Sequence, residues 1–162
     1  MARAELRTDV VDAVRALALE SDRLGQAFAA THALHPTDWT ALLHVMQAEG
    51  AGHPLTPGGL ADLLDVSTGS ATDVVDRLEK RGHLVRERDT ADRRRVQLRY
   101  AEPAMRLAAD FSGPLARQSE HIMAGMDDDQ LALVHRFLLG MTSAMAIARQ
   151  GTRGDLQPGD PP

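Results

Sequence analysis

A mainly α-helical fold carrying one small β-hairpin is what this chain of 162 residues predicts. Three observations lead there. Apolar side chains recur at alternating steps of three and four near both ends of the chain, which is the spacing of one helical face. Two short helical segments in the middle are separated only by Asp65 and Val66. Directly after them the pattern changes to two short runs of strand formers around a turn-rich stretch.

The first helix presents Val10, Val14, Leu17, Leu24 and Phe28 along one face, with Ser21 in the remaining slot. It ends at His35-Pro36, because the residue before a proline avoids the helical region. Thr37 then reads as the N-cap of a second helix running to Glu49, followed by a loop from Gly50 to Leu55. Thr56-Pro57 reads as N-cap and first residue of a third helix ending near Leu64. Ser67 caps a fourth, which carries Val74, Val75 and Leu78 to a stop at Gly82. With so short a connection, the third and fourth helices must meet at a steep angle. Leu84 to Arg86 and Val96 to Tyr100 read as strands, with residues 89–94 as the turn. Glu102-Pro103 opens a fifth helix, in which Gly113-Pro114 predicts a kink or break. Asp127 and Gln130 form a capping box for a sixth helix, where Leu131, Val134, Leu138, Met141 and Met145 again alternate three and four. The tail, residues 151–162, is rich in Gly and Pro and is expected to be disordered.

Composition narrows the chemistry. Aromatics are only 3%, so the core must be built from Leu, Val, Ala and Met. The absence of cysteine excludes disulfides, thiol catalysis and Cys-ligated zinc or iron–sulfur sites. No apolar run stands out as long enough to cross a bilayer, and Met1-Ala2-Arg3-Ala4-Glu5 leads into no signal-like core. A cytoplasmic protein without a membrane partner is therefore expected. The seven histidines offer only His32 and His35 as a weak pair, so neither a metal nor a cofactor is expected. There is no nucleophile elbow, phosphate loop or His-Glu zinc motif, which argues against an enzyme.

The net charge of −5 hides a basic island. From Arg77 to Arg99 there are nine basic residues and four acids, a balance of +5, which leaves −10 for the rest of the chain. A concentrated positive stretch in an acidic chain suggests a face for a polyanion.

Two short helices, a tight turn and an arginine-studded hairpin make a winged helix-turn-helix. A helix of this kind fits the major groove of double-stranded DNA, with residues of its N-terminal turns reaching the base edges. Here those residues are Ser67, Thr68, Ser70 and Thr72, with Gly69 allowing close backbone approach. Arg77 and Arg86 lie farther along and suit phosphates, unless they merely form a solvated face. Arginine at the hairpin tip suits the adjacent minor groove. Asp92 is either an ordinary turn residue or a carboxylate that holds a nearby guanidinium.

Leu60-Ala61-Asp62-Leu63-Leu64, the stretch STGSATDVVDRLEKR from Ser67 to Arg81, Gly82, and Asp92-Arg93-Arg94 together resemble the MarR family of bacterial transcription regulators. The resemblance implies a winged helix-turn-helix flanked by N- and C-terminal dimerisation helices. Residues 1–35 and 102–150 would form the dimerisation region, and 36–101 the DNA-binding lobe. It implies a homodimer joined through the first, fifth and sixth helices, with Val14, Leu17, Leu131, Val134, Leu138 and Met141 at the seam. It implies a fourth helix in the major groove, Arg94 held by Asp92 in the minor groove, and a pseudo-palindromic operator. A repressor relieved by a small aromatic ligand is the expected function, with Trp39, His32 and Arg15 as pocket candidates. Trp39 could equally anchor the core. The alternative is a dimeric architectural DNA-binding protein with little sequence preference. Two departures stand out. Asp73 occupies a position that is often basic in the family, and Tyr100-Ala101-Glu102-Pro103-Ala104 replaces the usual Leu-Thr and nearby Gly.

Overall fold

The computed structural model describes residues 2–89 and 92–154. In chain order they form α1 (Arg3–Thr31), α2 (Pro36–Gly50), α3 (Pro57–Leu64), α4 (Thr68–Lys80), β1 (Leu84–Arg88), β2 (Val96–Tyr100), α5 (Glu102–Met123) and α6 (Asp128–Gly154). Compactness divides the chain between Gly113 and Pro114, inside α5.

Local chemistry explains most helix ends. Thr56 Oγ1 accepts the Gly59 N–H at 3.1 Å, and Ser67 Oγ accepts the Ser70 N–H at 3.1 Å, so α3 and α4 start where the sequence places them. The start of α2 differs. His35, not Thr37, is the N-cap: its Nδ1 accepts the Thr37 N–H at 3.2 Å. Pro36 takes the first helical position, where its fixed φ is favourable and its missing N–H costs nothing. Between α3 and α4, Asp65 adopts the left-handed conformation with φ of +58°, which aspartate tolerates better than most residues. That single residue turns the chain sharply enough to bring α4 back across α3. Beyond α4, Gly82 has φ of +73° and the His83 N–H reaches back to the Leu78 carbonyl at 2.9 Å.

The two strands pair antiparallel, from Leu84 opposite Tyr100 to Arg88 opposite Val96. β1 thus runs two residues beyond its expected end, and residues 90 and 91 of the expected turn lie outside the described residues. The hairpin is stitched to α2 and to the loop after it, with the Leu98 N–H donating to the Leu55 carbonyl at 2.7 Å and the Tyr100 N–H to Glu49 Oε2 at 3.1 Å. α2 packs on α1, α3, α4 and β2. The core lies where they meet, around Trp39, Leu42, Val45, Leu60, Val75, Leu78, Leu84 and Leu98.

α5 is continuous through Pro114, so the expected break is absent from its secondary structure. One missing N–H removes one hydrogen bond, and a helix of 22 residues keeps the rest. The capping box of α6 is formed as expected: Asp127 Oδ1 accepts the Gln130 N–H at 2.8 Å and Gln130 Oε1 accepts the Asp127 N–H at 3.0 Å. α6 continues to Gly154, past residue 151 where the tail was expected to begin, and residues 155–162 lie outside the described residues. One expectation is corrected here. Within Asp128–Arg149 an 18-residue window reaches a mean hydropathy of 1.6, and by length and composition alone this helix is long and apolar enough to cross a membrane. Arg136 and the scattered Gly, Thr and Ser break the apolar run to the eye and lower its average, but the Leu, Val, Phe, Met and Ile around them outweigh that.

Candidate nucleic-acid interface

α4 is amphipathic. Ala71, Val74, Val75 and Leu78 are buried. At about 100° per residue, Gly69, Asp73, Asp76 and Lys80 lie directly opposite that buried stripe, and all four are exposed. Ser70 and Thr72 flank this outward stripe on either side. Their hydroxyls are partly committed: Ser70 Oγ lies 3.0 Å from Ser67 Oγ, and Thr72 Oγ1 donates to the Thr68 carbonyl at 2.8 Å. Thr68 is exposed at the first turn. Ser67, Thr68, Ser70 and Thr72 therefore share one end of an exposed helix.

Arg77 and Arg86 have work inside the protein. Arg77 donates from Nε to Asp38 Oδ2 at 3.0 Å and from Nη2 to Asp38 Oδ1 at 2.6 Å, tying α4 to α2. The Asp38 side chain is 3% exposed, whereas that of Arg77 is 48% exposed. The bond to Asp38 holds the Arg77 pKa above its ordinary value, against the opposing effect of burial, and the charge of Asp73 adds to the rise. Arg86 reaches from β1 back to α4, donating from Nη2 to Asp76 Oδ1 at 2.5 Å and from Nη1 to Glu79. Those carboxylates, Asp76 foremost, raise its pKa likewise. In the free protein both guanidinium groups, expected from the sequence to face phosphates, are engaged by carboxylates. Asp38 is 39 positions from Arg77, a separation at which sequence spacing carries no signal. Arg81 donates to the Ala33 carbonyl at 2.5 Å, and Arg99 pairs with Glu49 at 3.3 Å. Between α4 and β1, burial lowers the His83 pKa, helped by the positive charge of Arg81.

The hairpin tip is organised differently. Asp92 Oδ1 accepts the backbone N–H of Arg94 at 3.0 Å, and the Asp92 carbonyl accepts the Arg95 N–H at 2.9 Å. Asp92 thus acts on Arg94 through the main chain, as turn aspartates do, and among the described residues no ion pair joins it to the Arg94 guanidinium. Asp89 braces the base of the tip, accepting from Gln97 Nε2 at 2.6 Å. Arg93, Arg94 and Arg95 are exposed, and among the described residues none of them has an ion pair.

Within the first compact unit, a cavity of about 300 Å³ opens between α1, α2 and the start of α5. Trp39, Leu43 and Phe111 supply apolar walls, and Ser21, Asp22, Gln26 and Thr40 the polar ones. Trp39 is both wall and core anchor, stacked against Phe28 at 4.6 Å and Phe111 at 4.9 Å. Its indole N–H is buried and has no hydrogen-bond partner among the described residues. The other two pocket candidates are placed elsewhere. His32 stacks on Phe28 at 4.2 Å behind the wall, and Arg15 pairs with Asp12 on the exposed face of α1. Arg15 misses the cavity because it lies six residues before Ser21, the first lining residue of α1, which is about 9 Å along the helix axis.

Of the seam candidates, Val14, Leu131 and Met141 are half-buried, while Leu17, Val134 and Leu138 are exposed.

With this geometry in place, comparison with known proteins gives concordant results. The MarR family model matches residues 34–95, from the end of the α1–α2 link to the hairpin tip. An uncharacterized HTH-type transcriptional regulator, YcgE of Bacillus subtilis (strain 168), is 32% identical over 136 residues, covering 84% of this chain and 86% of that protein. The structure of a MarR family protein from Bacillus stearothermophilus superposes with a TM-score of 0.64 at 20% identity, over 90% of this chain and 99% of that one. The S. aureus MepR–DNA complex superposes with a TM-score of 0.55 at 14% identity, over 82% of this chain and 93% of that one.

Proposed function

Because this chain belongs to the MarR family, and is by that membership a DNA-binding transcriptional regulator rather than an enzyme, we propose that it works as a homodimeric repressor released from its operator by a small aromatic ligand. In this reading each protomer lays α4 in the major groove of one half of a pseudo-palindromic site, as recognition helices do. The hairpin arginines reach the flanking minor groove and phosphates, and the protein acts in the cytoplasm, where the DNA is.

The observation that carries the reading is an exposed cationic tip and an exposed helix N-terminus within one compact unit. Arg93, Arg94 and Arg95 follow a strand that α4 itself holds in place through Arg86. S. aureus MepR, which shares the fold, has been captured on DNA. The dimer is supported by α6, which has no buried residue among those described although it carries Leu133, Val134, Phe137, Leu138 and Leu139. α1 likewise leaves Leu17 62% exposed. Apolar faces of this extent call for a covering surface, and a second copy supplies one. The cavity beside Trp39 has the size and mixed lining of a site for one small aromatic molecule.

Enrichment of sites from a random duplex pool, followed by titration of the enriched and a scrambled duplex at fixed salt, tests the reading. A preference of about a thousandfold or more for the enriched duplex is expected of a specific regulator. Equal affinity for both duplexes would instead indicate an architectural protein. Sedimentation in detergent-free buffer reports the dimer. Since Trp39 is the sole tryptophan, its fluorescence reports directly on any aromatic compound that enters the cavity and releases the DNA.

A further inference from the structure

The recognition helix is itself net negative: between Thr68 and Lys80 the acids Asp73, Asp76 and Glu79 outnumber the bases Arg77 and Lys80, a balance of −1. Its hydrogen-bonding capacity is also unevenly committed. The Thr72 hydroxyl donates its proton to the Thr68 carbonyl, which leaves it only lone pairs to offer a duplex. Asp76 accepts from Arg86, and the Arg77 guanidinium is closed onto Asp38. Asp73 is exposed at the centre of the outward stripe, and among the described residues its carboxylate has no hydrogen bond and no ion pair. One turn earlier on the same stripe stands Gly69, which has no side chain to hold the helix away. Lys80, the other side chain of the stripe without a hydrogen bond or ion pair among the described residues, stands at the C-terminal end of α4, so the uncommitted group on the stripe nearest the helix N-terminus is one that can only accept.

In the major groove the hydrogen-bond donors are the N4 amino group of cytosine and the N6 amino group of adenine. Guanine O6 and N7, thymine O4 and the phosphates are all acceptors and repel a carboxylate. We propose that Asp73 is a specificity-determining residue, selecting half-sites that present a cytosine or adenine amino group opposite it and holding α4 off duplexes that do not. This rests on the reading that α4 enters the major groove. It also gives a chemical role to the position at which this chain departs from the family's basic residue.

The test uses full-length wild type, Asp73→Ala and Asp73→Asn. Each protein enriches sites from a random duplex pool, and each then titrates the wild-type site and a scrambled duplex at several salt concentrations. Wild-type sites should share cytosine or adenine at one symmetric position in each half. Asp73→Ala should enrich the same sites with that position alone degenerate. Its preference for the wild-type site should fall about tenfold, partly because its affinity for scrambled duplex rises. Asp73→Asn should narrow the position to adenine, whose N6 and N7 match an amide. Unchanged preferences in both variants would overturn the proposal and leave the operator reading standing. A wild type that enriches no sequence would overturn the operator reading itself. A lowered melting temperature in Asp73→Ala would also count against the proposal, since Asp73 would then be supporting the fold.

Discussion

Two neighbouring parts of one lobe, α4 and the β1–β2 hairpin, handle charge in opposite ways. α4 carries two bases against three acids, and its Arg77 closes onto a buried carboxylate. The hairpin, residues 84–100, carries six bases against three acids, a balance of +3, and presents Arg93 to Arg95 without ion pairs among the described residues. Counterions are released from DNA by cations that are free to neutralise phosphates, so in the proposed reading the hairpin is the part that supplies affinity. A helix whose arginine is internally matched, leaving Lys80 as its one cation without an ion pair among the described residues, contributes less to that term and leaves its acceptors to discriminate among base edges. A basic island read only as a sum of charges misses this division, because three of its arginines, Arg77, Arg86 and Arg99, serve to join elements of the protein.

The comparison can be broken most completely by separating the protomers. Leu138→Glu should convert the dimer to monomers and weaken operator binding by about a hundredfold or more, because helix and hairpin then lose the second half-site together. Sedimentation velocity and an anisotropy titration check this, and an intact dimer would move the seam away from Leu138. Next comes Arg77→Ala, which strands the buried Asp38 carboxylate. We expect a loss of stability on the order of 2–4 kcal/mol, below the range for fully enclosed pairs because the guanidinium is half exposed. Chemical denaturation measures it. A variant of wild-type stability but weakened DNA binding would return Arg77 to the phosphates.

Arg94→Ala should show the converse behaviour. Operator affinity falls by about 1–3 kcal/mol while the unfolding midpoint stays at the wild-type value, since its side chain is exposed and has no ion pair among the described residues. Salt dependence sharpens the contrast further. Arg95→Ala should reduce the slope of log K against log salt by about 0.9 if its charge meets a phosphate, and Arg86→Ala should change it by much less. Equal changes in the two slopes would mean that Arg86 leaves Asp76 and Glu79 when DNA binds.

The smallest effect concerns His83, at the joint between the two regions. Burial lowers its folded-state pKa, so below the unfolded value of about 6.5 the unfolded chain binds a proton that the folded chain resists. Stability is therefore complete above that pH and declines as pH falls through the interval between the unfolded and folded values. Denaturant midpoints from pH 7.5 to 5 should show the decline in wild type and less of it in His83→Leu.

Much of this architecture was legible before any coordinates. Thr56, Ser67 and the Asp127–Gln130 box act within three residues along the chain, so spacing alone shows where α3, α4 and α6 begin. The change from helical to alternating pattern after Gly82 likewise marks the hairpin, because periodicity is a local property of the backbone. The α2 start was misplaced by two residues because histidine is an uncommon cap and Thr37 a common one.

What the amino-acid order determined by itself, then, is the succession of elements, the winged helix-turn-helix they compose, and the short stretch proposed to contact DNA. Only the tertiary structure decided which of those residues are left to make them. Asp38 meets Arg77, Asp76 and Glu79 meet Arg86, and Glu49 meets Arg99 across separations of 7 to 50 positions. Such pairings follow from how helices and strands pack in space, and a charge is available to a partner molecule only after the fold has finished neutralising its own.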